Sequence, residues 1–151
     1  MATVNPNLPE SEFTDTVVSI KRVSKKTQGG NQIAFTALVV SGDQKSRVGV
    51  GLGKAKSVAD SIKKSTNKAR NTLTSIKITQ GTIPSSIRTK FKAAKIMLRP
   101  GRPGSGLIAG SSIRAVVQAA GIKDIATKII GSKNKSINVW AALKALKTLS
   151  K

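Results

Sequence analysis

The chain of 151 residues contains no cysteine and no histidine. Their absence excludes disulfide bonds, metal sites built on thiolate or imidazole ligands, and acid–base catalysis by histidine. Composition alone therefore excludes most familiar kinds of enzyme. We accordingly predict a protein without catalytic residues, without a bound metal, without a cofactor and without a small-molecule substrate.

Aromatic residues are scarce, with three phenylalanines, one tryptophan and no tyrosine. They are scattered along the chain at Phe13, Phe35, Phe91 and Trp140. Proteins that bind single-stranded nucleic acid stack successive bases on aromatic side chains, and four scattered rings cannot form such a platform. Any contact with nucleic acid should therefore depend on phosphates and on shape.

Long apolar runs are also lacking, since no stretch approaches the roughly 20 residues that a membrane-spanning helix needs. The N-terminus has neither the basic-then-apolar pattern of a signal peptide nor an Arg-rich transit pattern. The basic helix described below carries no aromatic anchor for a membrane surface. We therefore predict that the chain has no membrane partner.

Acidic residues are few, with 6 Asp plus Glu against 27 Lys plus Arg, and the formal net charge is +21. A net charge of roughly 2 to 8 already suffices for solubility in a small domain. Self-repulsion of the observed size is typical of a protein with a polyanionic partner. Because a membrane is the weaker candidate, RNA or DNA is the favoured partner.

One strand, Arg47–Ala55, organises the first half of the chain. Its residues alternate between two faces, because successive side chains of a strand point in opposite directions. The apolar face comprises Val48, Val50 and Leu52, and the other comprises Arg47, Gly49, Gly51 and Gly53. Three glycines on one face indicate that something bulky approaches closely. A large side chain such as Phe35 and the backbone of a ligand are both compatible with this pattern.

A basic amphipathic helix follows this strand directly. Ser57 and Asp60 have the spacing of a variant capping box, which predicts the start of the helix. Apolar residues at helical spacing form the predicted inward stripe, which comprises Val58, Ala59, Ile62, Ala69, Leu73 and Ile76. The lysines between them, Lys63, Lys64 and Lys68, are predicted to face outward. The pattern fades near Ile76.

Two further strands precede this unit. β-Branched residues predict a strand over residues 13–24, the pair Gly29-Gly30 predicts a hairpin turn, and residues 32–41 form a second strand. Residues 42–46 form the next turn. The first 79 residues are therefore predicted to contain a mobile segment, residues 1–12, and a domain over residues 13–79 with a three-stranded antiparallel sheet and one helix.

The second half of the chain is predicted to be another small domain, over residues 80–151. Gln80-Gly81 and Pro84 mark its boundary. Short strands are predicted at 76–79, 87–91 and 94–99, followed by a Pro/Gly-rich loop at 100–106. A helix is predicted from Ser111 or Ser112 to Gly121, then a strand at 122–130 and a closing helix at 137–149. The predicted fold class is α+β with two small domains.

The loop that leads into the predicted helix at Ser111 permits an enzymatic interpretation. Residues 103–112 resemble the phosphate loop of the galactokinase and homoserine kinase group, and backbone amides at a helix N-terminus can hold phosphate. Phosphoryl transfer also needs carboxylates to hold magnesium, yet Asp124 is the only acid after Asp60. We therefore favour an RNA phosphate or a protein contact at this loop.

Several ordered motifs resemble the small-subunit ribosomal protein S5 family. They include Arg22-Val-Ser-Lys25, Arg47-Val-Gly-Val-Gly-Leu-Gly-Lys-Ala55, Gly106-Leu-Ile-Ala-Gly110, Ala120-Gly-Ile-Lys-Asp124 and Gly131-Ser132. The resemblance covers the chain from about Phe13 to Leu149. It implies a first domain like a double-stranded-RNA-binding domain, and a second, two-layer domain of three strands, helix, strand and helix. The chain departs from the family at Gln44–Ser46, which lacks a second glycine, and at Lys135, where a proline is usual.

The resemblance further implies a structural constituent of the small ribosomal subunit that binds rRNA and is not an enzyme. It implies that the protein braces the neck of the subunit and the side where messenger RNA enters, and influences decoding fidelity through ribosomal protein S4. Implied partners are rRNA, ribosomal proteins S4 and S8, and messenger RNA. Gly110 and Arg114 are implied to face S4. The implied location is the cytoplasmic ribosome, or the ribosome of a bacterial-type organelle.

Charge clusters and turn glycines give the predicted RNA-contact residues. They are Arg22, Lys25, Lys26, Gly29, Gly30, Arg47, Lys54, Lys56, Lys63, Lys64, Lys68, Arg99 and Arg102. Phosphate contact through such residues is independent of sequence and sensitive to salt. The alternative function is that of a free-standing duplex-RNA-binding protein or RNA chaperone.

Overall fold

The computed structural model describes residues 13–150, so the predicted mobile segment at residues 1–12 lies outside the described residues. Runs of strands form two mainly antiparallel sheets and three helices pack on them, as in an α+β protein, which confirms the predicted fold class. The elements are β1 (Thr14–Thr27), β2 (Gly30–Gly42), β3 (Arg47–Ala55), α1 (Val58–Asn71), β4 (Thr74–Ser75), β5 (Ile87–Phe91), β6 (Ala94–Pro100), β7 (Leu107–Ile108), α2 (Ser111–Ala120), β8 (Ile125–Ile129) and α3 (Lys135–Leu149).

The first sheet has four antiparallel strands in the order β1-β2-β3-β4. The sequence predicted three strands here and a strand at 76–79 in the second unit. That assignment was wrong, because the short strand β4 lies just before this segment and pairs with Arg47–Val48 of β3. After β4, only an isolated bridge between Thr79 and Thr82 remains.

The hairpin of β1 and β2 extends further than the sequence predicted. Pairing continues to Thr27 and Gly30, so the turn consists of Gln28 and Gly29. The Thr27 hydroxyl donates a hydrogen bond to the Gly30 carbonyl over 2.8 Å. Gly30 has a φ of 121°, which a residue with a Cβ rarely adopts, and this explains the glycine at this position.

The glycine face of β3 packs directly against the backbone of α1. A Cβ at Gly51 would overlap the carbonyl oxygen of Ser65, and a Cβ at Gly53 would lie 2.6 Å from that of Ser61. Both sequence interpretations, a large side chain such as Phe35 and a ligand backbone, were therefore wrong. What approaches the glycines is the helix that follows them in the chain.

Small residues on α1 make this close approach possible. Ser61, Ser65 and Ala69 are the buried residues of the helix, and they lie four residues apart. Four helical residues rise about 6 Å, which nearly equals the advance of two strand residues, so each small residue meets one glycine of β3. The buried hydroxyls are satisfied within the helix, where Ser65 Oγ donates to the Ser61 carbonyl over 2.9 Å.

The predicted inward stripe of α1 was correct at Ala69, which is buried, but wrong in the first half of the helix. Val58 and Ala59 are exposed, Ile62 is half-buried, and the helix ends at Asn71 rather than near Ile76. Ser57 does occupy the N-cap position, but its side chain accepts no hydrogen bond from the helix, so the capping box does not form.

The turn between β2 and β3 contains two non-glycine residues with positive φ. Gln44 and Ser46 have φ values of 55° and 125°, in the region that favours glycine. Asp43 stabilises this turn by accepting hydrogen bonds from the backbone N–H groups of Lys45 and Arg47, each over 2.9 Å.

The second sheet has the order β5-β6-β8-β7, with β7 parallel to β8 and α2 connecting them. Helix α2 ends at Gly121, which has a φ of 86°, as predicted for a C-terminal glycine stop. Strand β8 is shorter than the predicted 122–130. Helix α3 begins at Lys135, and the Asn134 side chain caps it by accepting from the Ser136 N–H over 3.1 Å.

The elements stack in four layers. Helix α1 covers one face of the first sheet, and α2 covers the other, where a Cβ at Gly42 would overlap the Ala119 backbone. Helices α2 and α3 share a core with the first sheet and with the inner face of the second sheet. This core includes Val40, Val50, Val116, Leu146, Ile96 and Ile125. The layer order is therefore α1, first sheet, α2 with α3, second sheet.

Candidate RNA-binding surface

The distal part of the β1–β2 hairpin forms an exposed arm, and three of the predicted RNA-contact cations lie on it. Arg22, Lys25 and Lys26 are all exposed. Arg22 lies opposite Phe35 and Lys26 opposite Asn31, whereas Lys25 lies opposite Gln32 on the other face of the hairpin. The arm therefore carries cations on both of its faces.

The tip of the arm is bare. At Gly29 and Gly30 a Cβ would meet no atom within 4 Å, so the tip has open space around it. Thr27 on one side and Gly30 on the other close the turn without contributing a bulky side chain. A narrow tip between flanking cations can approach RNA backbone closely.

The outward face of α1 carries the second group of predicted cations. Lys63, Lys64 and Lys68 are exposed, because the buried stripe of the helix lies on its opposite side. Lys54 and Lys56 are also exposed, near the end of β3 and just before α1. The structure thus places these five lysines on β3, on α1 and on the short connection between them.

Lys21 is a cation that the sequence analysis missed. It is exposed and lies opposite Thr36 of β2, and Thr36 in turn lies opposite Lys54 of β3. The side chains of one such cross-strand row point to the same face of the sheet. The alternation of β1 could have identified it, since Lys21 and Lys25 are four residues apart in one strand.

Arg47 has a structural role in the turn that precedes β3. Its Nε donates a hydrogen bond to Asp43 Oδ2 over 2.7 Å, and its guanidinium lies 5.8 Å from the centre of the Phe13 ring. Arg70 lies 5.7 Å from the same ring and donates to Asp15 over 2.8 Å. Two arginines therefore fix the start of β1, and we leave Arg47 out of the proposed RNA contacts.

Asp43 is the buried carboxylate of this turn. Burial acts to raise its pKa, but the hydrogen bonds from the Arg47 side chain and from the backbone N–H groups of Arg47 and Lys45 outweigh it. The net effect lowers the pKa of Asp43 below its ordinary value of 3.8. The carboxylate is thus charged at neutral pH and holds the turn in place.

The remaining predicted RNA contacts, Arg99 and Arg102, belong to the second half of the chain. Arg99 is exposed on β6, and its side chain points away from α2 and α3 because its neighbour Leu98 is fully buried among them. Arg102 is exposed in the loop after β6. The structure therefore does not bring these two arginines together with the lysines of α1.

The two predicted protein-interface residues lie on one turn of α2. Gly110 is the N-cap of the helix, and its carbonyl accepts the Arg114 N–H over 2.8 Å. The Arg114 side chain is exposed and donates to the Leu107 carbonyl over 2.8 Å. Ile108, which the sequence analysis did not single out, is 59% exposed in the adjoining strand. These residues form a small apolar surface with one cation.

The loop with the kinase-like motif is held by the one nearby acid. Asp124 Oδ1 accepts a hydrogen bond from the Gly106 N–H over 2.8 Å, and the Asp124 carbonyl accepts from the Thr82 hydroxyl over 2.6 Å. Asp124 therefore positions the loop. Within residues 13–150, no group of three or more Asp, Glu, His or Cys side chains is placed to hold a metal ion.

None of the helices in the described part of the chain is both long and apolar enough to cross a membrane.

An α+β fold with extended exposed surfaces of lysine and arginine is typical of proteins that bind structured RNA. Comparison with known protein families identifies the family to which the chain belongs. The family described as ribosomal protein S5, N-terminal domain, matches residues 13–77, and ribosomal protein S5, C-terminal domain, matches residues 89–151. The chain therefore belongs to the ribosomal protein S5 family.

Individual relatives agree with this membership. The small ribosomal subunit protein uS5 of Chloroflexus aurantiacus is 45% identical over 147 residues, covering 97% of this chain and 82% of the relative. The uS5 protein of Mycoplasmopsis agalactiae is 48% identical over 140 residues, covering 92% of this chain and 61% of the relative. The uS5 protein of Campylobacter jejuni strain 81-176 is 45% identical over 138 residues, covering 91% of this chain and 94% of the relative.

Membership in this family confirms the predicted class of function. The chain is a structural, non-enzymatic constituent of the small ribosomal subunit, and rRNA binding and a role in translation follow from the family.

Proposed function

We propose that the chain contacts rRNA through the exposed cations of the arm, of the end of β3 and of the outward side of α1, which together we call the arm–helix surface. It comprises Arg22, Lys25, Lys26, Lys54, Lys56, Lys63, Lys64 and Lys68, with Gly29 and Gly30 at the tip. One observation carries the proposal: these eight cations are exposed, and none forms a salt bridge with a carboxylate in residues 13–150.

The mode of contact follows from the composition of this surface. It has eight cations and no exposed aromatic side chain on which a base could stack, so it suits phosphates rather than bases. Helical RNA is recognised mostly through the shape of its wide minor groove and through its backbone. The narrow arm enters the folded RNA, and α1 lies along the phosphates beside it.

We infer further partners from family membership and from the surface around α2. Ile108, Gly110 and Arg114 contact ribosomal protein S4, and this interface influences how readily the subunit closes during decoding. The protein also contacts ribosomal protein S8 and messenger RNA on the side where the message enters, and it braces the neck. Its location is the ribosome of the cytoplasm or of a bacterial-type organelle. The proposed domain boundary is residue 80.

Neutralising the lysines of α1 tests the arm–helix surface. We expect the triple variant Lys63→Gln, Lys64→Gln and Lys68→Gln to bind an rRNA fragment more weakly and with a shallower salt dependence. Each lost phosphate contact reduces the slope of log affinity against log salt by roughly 0.7 to 0.9. The matched control, Lys77→Gln with Lys123→Gln and Lys147→Gln, removes the same charge from exposed positions elsewhere. Equal slopes for the two variants would contradict the proposal.

The alternative function, a free-standing duplex-RNA binder or chaperone, differs in where the protein resides. A ribosomal constituent sediments with small subunits at low magnesium, whereas a free RNA chaperone remains largely at the top of the gradient. Sucrose-gradient sedimentation of cell extract with detection of the tagged protein separates the two.

A further inference from the structure

A cleft lies between the two halves of the chain, where the end of α1 and strand β4 meet β5 and α3. Its apolar wall consists of Phe91, Trp140 and Leu143, and two threonines and two lysines complete the lining, so we call it the aromatic cleft. Its volume of about 410 Å³ falls within the range of roughly 300 to 1,000 Å³ that is usual for binding clefts. Phe91 and Trp140 are only half-buried, so part of each ring can contact an occupant.

The rim of the aromatic cleft is cationic. Lys144 and Lys147 are exposed and lie three residues apart on α3, so they lie on the same side of the helix. The Nζ atoms of Lys144 and Lys92 each lie 5.9 Å from the centre of the Phe91 ring. No acidic side chain of residues 13–150 lines the cleft, and none forms a salt bridge with these lysines. A fitting occupant therefore combines apolar groups with negative charge.

The sequence that precedes Phe13 has this chemistry. Residues 6–12 read Pro-Asn-Leu-Pro-Glu-Ser-Glu, so the only two glutamates of the chain follow a Pro-x-x-Pro motif. Because proline fixes φ, such a motif favours the polyproline II conformation, whose three residues per turn bring Pro6 and Pro9 to one side. Segments of this kind dock in grooves lined by aromatic side chains. The aromatic cleft offers such a groove.

The pairing of the first sheet places this sequence within reach of the cleft. Thr14 pairs with Gly42 of β2, which in turn pairs with Val48 of β3. Val48 pairs with Thr74 of β4, and Thr74 lines the cleft. Three interstrand spacings separate Thr14 from Thr74, which amounts to roughly 14 Å. The five residues from Pro9 to Thr14 span up to roughly 17 Å when extended, so Pro9 can reach the cleft without any strand moving.

Phe13 determines the side from which the chain enters the first sheet. Its ring lies 5.8 Å from the guanidinium of Arg47 and 5.7 Å from that of Arg70. Arg70 belongs to the last turn of α1 and comes two residues before Thr72, which lines the cleft. The chain therefore enters beside the end of α1, close to the opening of the aromatic cleft.

We propose that residues 6–12 of this chain dock in the aromatic cleft, with the two prolines against Phe91 and Trp140 and the glutamates beside the lysines of α3. Because the segment is attached to the chain, its effective concentration is of the order of mM, so a weak intrinsic affinity suffices. Docking connects the two halves of the chain, since the segment precedes the first sheet and the cleft wall belongs to the second half. Composition predicted a mobile segment at residues 1–12, and this inference revises that prediction. It is independent of the proposed rRNA contacts.

Fluorescence of Trp140 tests the proposal, because it is the only tryptophan of the chain. In the full-length protein without RNA, the double variant Pro6→Ser and Pro9→Ser should release the segment and expose the indole ring. We expect a larger constant for quenching by acrylamide and an emission maximum at longer wavelength. The matched control, Asn5→Ser with Asn7→Ser, changes two residues of the same sequence and keeps both prolines. It should give the wild-type values.

Exchanging the charges tests the placement of the glutamates. Glu10→Lys with Glu12→Lys keeps the prolines and should also increase the quenching of Trp140. Adding Lys144→Glu and Lys147→Glu to this variant reverses both partners and should restore the protection.

Three results would overturn the proposal. They are equal quenching of wild type and the proline variant, charge exchange without restored protection, and protection of wild-type Trp140 that increases with protein concentration. The third result would show that the occupant belongs to a second copy of the chain. Circular dichroism melts of all variants establish that each is folded.

Discussion

At the scale of single residues, the three glycines of β3 determine how the first half of the chain packs. Each one is matched by a small residue of α1, and the buried serines satisfy their hydroxyls on their own helix. Without side chains between them, the helix and the strand approach to backbone contact. The glycines thus serve a structural purpose rather than ligand binding.

Gly51→Val should destabilise the protein strongly. The new side chain would meet the backbone of Ser65 and Ala69, which cannot move aside as a flexible side chain could. We expect a loss of about 3 kcal/mol in unfolding free energy, the upper end of the usual range for overpacking. Chemical denaturation gives the value. Leu52→Val, on the opposite face and 42% exposed, is the control and should cost under about 1 kcal/mol. Equal losses would contradict the packing described here.

Asp43→Asn should destabilise the protein in a way that depends on pH. The folded-state pKa of Asp43 lies below its unfolded value of 3.8, so the carboxylate stabilises the fold fully above that value. The contribution falls as pH drops through the unfolded and then the folded pKa. Above roughly pH 5, we expect the free energy of unfolding of wild type to exceed that of the variant by about 1 to 3 kcal/mol. Below pH 4, we expect this difference in unfolding free energy to narrow. Urea denaturation across this range measures it, and a gap that widens in acid would refute the assignment.

At the scale of elements, the sequence predicted the strands and helices well and the packing of α1 poorly. Alternation identified β3 to the residue, and the glycines predicted at the hairpin turn and at the end of α2 adopt positive φ at Gly30 and Gly121. The predicted stripe of α1 was correct at Ala69 but wrong at Val58 and Ala59, because hydrophobic periodicity assumes that apolar side chains face the core. Here backbone contact with glycines places Ser61 and Ser65 inside instead.

Other features could not be read from the sequence because they depend on partners distant in the chain. The two-residue strand β4 exists only through its pairing with β3. Likewise, Arg88, Arg99 and Lys128 come to one face of the second sheet only when β5, β6 and β8 pair. The arm cations were predicted correctly as exposed because the hairpin is local. Their contact with RNA stays a prediction.

Two substitutions at the tip of the arm separate charge from backbone strain. Gly30→Asp places an anion at the tip and also forces a Cβ into a φ of 121°, which costs about 1 to 3 kcal/mol. Gly29→Asp places the same charge where φ is not positive and where space is open. We expect both to weaken binding to an rRNA fragment, and Gly30→Asp alone to lower the melting temperature clearly.

Thermal melts and fluorescence anisotropy on both tip variants provide the measurement. Gly30→Asn is the control, since it introduces the strain without the charge. It should lower the melting temperature and bind RNA nearly as well as wild type. Unchanged RNA binding by both aspartate variants would show that the arm is not a contact site.

At the scale of the whole molecule, the two halves share one core rather than having one each. Val40 and Val50 of the first sheet belong to the same buried cluster as Leu146 of α3 and Ile96 of the second sheet. Helix α3 is buried on most of its circumference for this reason, since a sheet lies on either side of it. Damage in one half should therefore reach the other.

Leu146→Ala tests this coupling. Removing a fully buried leucine side chain should cost about 2 to 5 kcal/mol. Because the core is shared, amide hydrogen exchange in β2 should accelerate together with exchange in β6. Lys147→Ala, the exposed neighbour, is the control and should change neither. Unchanged protection in β2 would mean that the halves unfold independently, as separate domains would.

The position of α3 in the chain has a consequence for how the protein is made. All strands of the first sheet leave the translating ribosome before α3 does, yet one face of that sheet is completed only when α2 and α3 cover it. Until then Leu38, Val40, Val48 and Val50 face water on a nascent chain that already carries most of its positive charge. The newborn protein thus exposes an apolar sheet face that can associate prematurely with other apolar surfaces until its last helix closes over the sheet.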